Sequence, residues 1–181
     1  MKGKRKIYFI SFFLSLALIF ISVFVFYQVR YPIKYQDAIN VYSARYGLDN
    51  ELVASLINEE SSFKANSKSN KGALGLMQLL PSTAEYIATN LLKEEYNQNS
   101  LYEPETNIRY GCCYLNYLRN KFEDEKTLLC AYNAGETNVL KWLSDKNLSE
   151  NGKKLDNIPY LATQNYVSKI IKGKKYYLKR L

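Results

Sequence analysis

The chain contains no histidine. That removes Ser-His-Asp hydrolases, Cys-His hydrolases and His-ligated zinc peptidases in one step. Cysteine is scarce, with three residues: Cys112, Cys113 and Cys130. Adjacent cysteines cannot share one helix face, and none has a histidine to activate it. The expectation is burial as small apolar side chains; a bridge from one of the pair to Cys130 is the alternative outside the cytoplasm. Strand-like alternation is missing throughout, as are internal repeats and low-complexity tracts. What remains is carboxylate chemistry on a helical scaffold, with no metal and no cofactor expected.

Charge is the next imbalance. The 181 residues carry a formal net charge of +8. Lys2, Lys4, Arg5 and Lys6 open the chain, and Lys172, Lys174, Lys175, Lys179 and Arg180 lie near its end. Between the two basic clusters, Ile7 to Val29 has no charge and is almost wholly apolar. At 1.5 Å per residue, about 23 residues reach roughly 34 Å, enough to cross a bilayer's hydrocarbon core. Basic residues before the run keep the N-terminus inside, and Tyr27 and Tyr31 suit an interfacial belt. A cleaved signal would have a shorter apolar run and a small-residue cleavage site after it. The expectation is a single-pass membrane anchor with the remaining domain outside the cytoplasm. Nucleic acid is thereby excluded as a partner. An anionic wall polymer or lipid headgroups are the candidate partners for the C-terminal basic residues. The organisation expected is a stub over 1–6, the span over 7–29, a tether over 30–39, one domain over 40–172 and a basic tail over 173–181.

The domain reads as all-α. Asp49 or Asn50 opens a helix that carries Leu52, Val53, Leu56 and Ile57. Residues 64–80 form a Ser/Asn/Gly-rich loop with room for a small irregular hairpin. A helix starts near Pro81, with Ala84, Ile87, Ala88, Leu91 and Leu92 on one face. Another covers Asn107 to Phe122. Asp124 caps Glu125 to Ala134, which stops at Gly135. A short segment holds Val139 to Leu143, and Pro159 starts the last helix.

Glu60 is the most informative residue. At roughly 100° per residue it shares a face with Val53 and Leu56, whereas Glu59 points away. A carboxylate on an apolar stripe resists ionisation, which suits a general acid working near neutral pH. Downstream, Gly72-Ala73-Leu74-Gly75-Leu76-Met77-Gln78 combines close-approach glycines with a pliable thioether and an amide that both donates and accepts. The run from Glu60-Ser61-Ser62-Phe63 through Pro81-Ser82-Thr83-Ala84 resembles the signature of the soluble-lytic-transglycosylase (SLT) family. Ala131-Tyr132-Asn133-Ala134-Gly135 is similar to that family's second motif, and Tyr160-Leu161-Ala162-Thr163-Gln164-Asn165-Tyr166-Val167 to its third. Ala162 stands where family members often have a glutamate, so one acidic contact is missing.

The resemblance, over roughly residues 40–172, implies a lysozyme-like fold that cleaves peptidoglycan glycan strands. It implies that Glu60 is both acid and base, and that the muramic acid 6-hydroxyl attacks its own anomeric carbon to give a 1,6-anhydro sugar. Ser69, Met77, Gln78, Tyr132, Asn133 and Tyr166 become the saccharide-binding candidates. Two other readings stand beside this one: a water-using muramidase, which needs a second carboxylate, and a weakly active glycan-binding subunit of an envelope complex.

Overall fold

The computed structural model describes residues 2–181, with side chains from Ile7 onward. Met1 and the side chains of Lys2, Lys4, Arg5 and Lys6 in the N-terminal stub lie outside the described residues. The chain divides into two compact units, residues 1–32 and 33–181.

The first unit is helix α1, Lys2–Arg30. Its stretch Ile7–Arg30 is long and apolar enough to cross a membrane. Phenylalanine, isoleucine and leucine side chains along it stand exposed. Two of its hydroxyls are satisfied locally: Ser15 donates to the Phe12 carbonyl and Ser22 to the Leu18 carbonyl, both at 2.8 Å. A serine hydroxyl turned back onto its own helix backbone adds no unpaired donor to an apolar surround.

The second unit is all-α: α2 Gln36–Tyr46, α3 Asn50–Ser61, α4 Pro81–Tyr86, α5 Pro104–Arg119, α6 Glu125–Ala134, α7 Glu136–Leu143 and α8 Leu161–Tyr177. A π-helical turn, Ile87–Leu92, continues α4, and a 3-10 turn, Gln98–Tyr102, precedes α5. α3 is the buried centre. Val53, Leu56 and Ile57 are fully covered, chiefly by α8, and the Ser55 hydroxyl donates to the Ile170 carbonyl at 2.7 Å. A second cluster joins Leu74, Leu79, Ala84, Ile87, Leu101 and Tyr110 beneath the 64–80 loop.

Several boundaries differ from the sequence expectation for identifiable reasons. α2 lies partly in the stretch read as a tether. Only Ile39, Tyr42 and Ser43 are buried on it, too thin a stripe to register as a period. α5 starts at Pro104 rather than Asn107, with the proline in the first turn, where a missing N–H costs nothing. α8 starts two residues after Pro159 and runs to Tyr177, so residues 173–177 of the segment read as a tail are helix. Among the described residues there is no extended strand. The 64–80 loop is pinned by isolated bridges, Lys68 with Leu74 and Leu74 with Leu79. All three cysteines are free and buried, as expected of small apolar residues.

Candidate active site

Glu60 sits one residue from the end of α3, and the chain then turns sharply. Ser62 and Phe63 both adopt left-handed backbone, φ 50° and 60°, an uncommon conformation for a bulky residue. Phe63 is held there by burial, at 1% exposure, and by the Tyr177 ring, whose centroid is 6.4 Å away. The turn reverses the chain, so that the 64–80 loop comes back towards Glu60.

Asn107 fixes that loop from below. This fully buried side chain accepts from the Met77 N–H at 2.7 Å and donates to the carbonyls of Leu74 at 3.1 Å and Leu101 at 2.8 Å. Gly75, at φ +77°, lies so close that an added Cβ would sit 2.1 Å from the Asn107 amide and 2.2 Å from the Leu101 carbonyl. This glycine is required by both conformation and space.

A groove of about 390 Å³ opens over these elements. Glu60, Ser69, Gln78, Tyr132 and Asn133 line it, together with Lys71, Thr83 and Tyr114, which the sequence reading did not single out. The last three come from the loop, α4 and α5, and no local pattern joins them. The Ser69 hydroxyl accepts from the Ala73 N–H at 3.0 Å, which leaves its proton for another acceptor. The Gln78 Nε2 donates to the Gly75 and Ser67 carbonyls at 2.9 and 3.2 Å, so its Oε1 is the atom left to meet a ligand. Asn133 Oδ1 accepts from the Thr163 hydroxyl at 2.9 Å, tying the end of α6 to the first turn of α8.

Two candidates stand elsewhere. Met77 is fully buried and lies outside the groove lining. Its thioether fills the space over Gly111, where an added Cβ would fall 2.1 Å from the sulfur. Tyr166 is also outside the lining, but its hydroxyl donates to Glu60 Oε1 at 2.6 Å. Tyr132 donates to the Met77 carbonyl at 2.8 Å, which braces the groove floor.

The carboxylate's titration follows from this setting. Burial raises the Glu60 pKa to about 7; the Tyr166 hydrogen bond opposes the rise and the neighbouring Glu59 charge adds to it. Both phenols, Tyr132 and Tyr166, are pushed well above their ordinary value, first by burial and then by the Glu60 charge. They remain protonated donors at neutral pH. Glu59 accepts from Lys169 at 2.7 Å and takes no part in the groove. Among the described residues, Glu60 is the only carboxylate that lines it. Among the described residues no cluster of His, Cys, Asp and Glu could hold a metal ion.

A helical domain of this topology, with one desolvated glutamate at the head of a groove, is the lysozyme-like architecture of glycan-cleaving enzymes. Residues 37–155 match the transglycosylase SLT domain, and the chain belongs to that family. It is 30% identical over 153 residues to a soluble lytic murein transglycosylase of Salmonella typhimurium, covering 83% of this chain and 24% of that protein. It is 30% identical over 168 residues to membrane-bound lytic murein transglycosylase C of Histophilus somni, covering 80% and 46%. An inactive mutant of the lytic transglycosylase Slt of Pseudomonas aeruginosa, with glutamine in place of one glutamate, superposes with a TM-score of 0.74 at 26% identity, covering 85% of this chain and 25% of that one. The chain thus spans about a quarter of the length of the soluble relative and less than half that of the membrane-bound one.

Proposed function

We propose that the protein is a membrane-anchored lytic transglycosylase that cleaves the β-1,4 bond between MurNAc and GlcNAc in peptidoglycan. The observation that carries this is Glu60: a lone groove carboxylate with a pKa of about 7, held by the Tyr166 hydroxyl. Protonated Glu60 gives its proton to the glycosidic oxygen as the bond to the anomeric carbon breaks. The carboxylate so formed takes the proton of the MurNAc 6-hydroxyl as that oxygen bonds to the same carbon. GlcNAc leaves with a free 4-hydroxyl, MurNAc closes to its 1,6-anhydro form, and Glu60 is protonated again. Water is neither consumed nor released. Tyr166 supports both roles by donating to the carboxylate when it is charged. The relatives' description as murein transglycosylases and the inactive glutamate-to-glutamine relative fit this chemistry.

A water-using muramidase would draw on a second carboxylate in the groove, and among the described residues the lining supplies none. The weakly active glycan-binding reading, prompted by Ala162, is opposed by the seating of Glu60. Membrane attachment is supported by the apolar Ile7–Arg30 helix and by a membrane-bound relative. The domain would then lie outside the cytoplasm and the N-terminus within it. Digestion of purified peptidoglycan with the full-length protein tests the reaction. Anhydro-muramic products, one water lighter than hydrolysis products, are expected by mass spectrometry. Reducing-end muramic acid as the main product would assign the protein to the hydrolases.

A further inference from the structure

A second cavity, of about 540 Å³, lies outside the groove, between the α8 face, the start of α6 and the loop over 155–158. Its apolar lining is Ile158, Val167 and Ile171, and its cations are Lys126, Lys172 and Lys175. It shares no lining residue with the Glu60 groove.

The lysines of α8 fall into two sets. Lys169 pairs with Glu59 at 2.7 Å, and Lys174 with Asp49 and Glu125 at 2.8 and 2.6 Å. These two serve the packing of α8 on its neighbours. Lys172 and Lys175 are exposed and pair with no carboxylate among the described residues. They are three apart on one helix, so their stems are neighbours and both ammonium groups reach one anion. Lys126 donates to the Leu155 and Asp156 carbonyls at 3.0 Å and keeps a third N–H. Among the described residues the one acid in the lining, Asp156, accepts from the Glu150 N–H through Oδ2. The cavity therefore has an excess of positive charge beside an aliphatic floor.

Its polar atoms add a second constraint. Gln164 donates through Nε2 to the Ile158 carbonyl at 2.6 Å, which leaves Oε1 as an acceptor. Asn157 donates through Nδ2 to the Asn147 carbonyl at 3.1 Å and likewise keeps its oxygen. Acceptors above an apolar floor suit the N–H groups of a peptide with small aliphatic side chains. A phosphate polymer has no use for the aliphatic floor, and a flat lipid surface does not enter a concavity.

We propose that this cavity binds a short peptide that ends in a free carboxylate, with the carboxylate between Lys172 and Lys175 and small apolar side chains on Ile158, Val167 and Ile171. The site is separate from the chemistry at Glu60 and does not depend on it. Full-length protein in neutral phosphatidylcholine nanodiscs, methyl-labelled at isoleucine and valine, is titrated by NMR with N-acetyl-trialanine and with its C-terminal amide. The acid should move the Ile158, Val167 and Ile171 methyls saturably, with Ile108 in the core unmoved, and the amide should bind several-fold more weakly. Lys172→Gln and Lys175→Gln should each weaken the acid by about three- to fivefold, the scale of one exposed charge contact, and together abolish the preference for acid over amide. Equal binding of acid and amide, or no saturable shift, overturns the proposal. So do shifts at the same methyls produced by adding phosphatidylglycerol to the discs but not by peptide, which would assign the cations to a membrane surface.

Discussion

Glu60 and Glu59 are consecutive carboxylates with opposite surroundings, one in a groove against Tyr166, the other against Lys169. Glu60→Gln keeps the shape and loses the proton cycle, so turnover of peptidoglycan should fall at least about 10²-fold. Glu59→Gln should retain most activity; equal losses at the two positions would contradict the separation of roles. The same Glu60→Gln variant should be more stable at pH 8. With the folded-state pKa raised from 4.5 to about 7, the folded protein holds the extra proton, and stability is lost as pH rises between those values. At about 1.4 kcal/mol per pH unit the penalty is on the order of 3 kcal/mol, measurable by denaturant melts at pH 5 and pH 8. Activity that needs protonated Glu60 should decline as pH rises through about 7. Because the Tyr166 hydrogen bond lowers that pKa, Tyr166→Phe should move the midpoint of the pH–rate profile upward as well as slow the reaction. A downward move would mean that the phenol favours the neutral acid.

Helices explain which of these placements could be read beforehand. The α3 stripe put Glu60 on the buried face because one amphipathic helix carries its own period. Asp124 was readable as a cap for the same local reason, and its Oδ2 accepts from the Thr127 N–H at 2.8 Å. The turn from α4 into a π-helix was not readable, since Ala84, Ile87 and Ala88 fit either winding over so short a run. Met77 lies in a motif rich in glycine, and no local feature distinguishes a groove wall from a core filler. That distinction was made by Gly111, more than thirty residues away in α5. Tyr114, Lys71 and Thr83 line the groove through tertiary contacts between separate elements, which local periodicity does not encode. The end of α8 tests the importance of such contacts. Tyr177 is fully buried against Phe63, so Tyr177→Ala should destabilise the domain by roughly 3–5 kcal/mol, the usual loss for a large buried aromatic. Thermal melts measure the loss, and residual activity should fall with it because Phe63 shapes the turn after Glu60. Leu178→Ala, at an exposed position next door, is the control and should leave both unchanged.

At the scale of the whole chain, α1 and the helical domain are separate units. The exposed apolar surface of α1, far beyond what a soluble helix leaves bare, leads to an expectation about attachment. Full-length protein should stay in the membrane fraction through high salt and alkaline carbonate, and protease added outside protoplasts should remove the domain. N-terminal sequencing that finds a start between Ala17 and Pro32 would instead show a cleaved segment and a released enzyme. The contact between Phe63 and Tyr177 also sets an order in time. About 110 residues of chain separate the two rings, and at roughly 5–20 residues per second synthesis takes about 6–22 s to cover that distance. A chain stopped before α8 already carries Glu60 but lacks Tyr166, which donates to it, and Tyr177, which packs on Phe63. Glu60 therefore meets its hydrogen-bond donor only once α8 has been made and has packed onto α3.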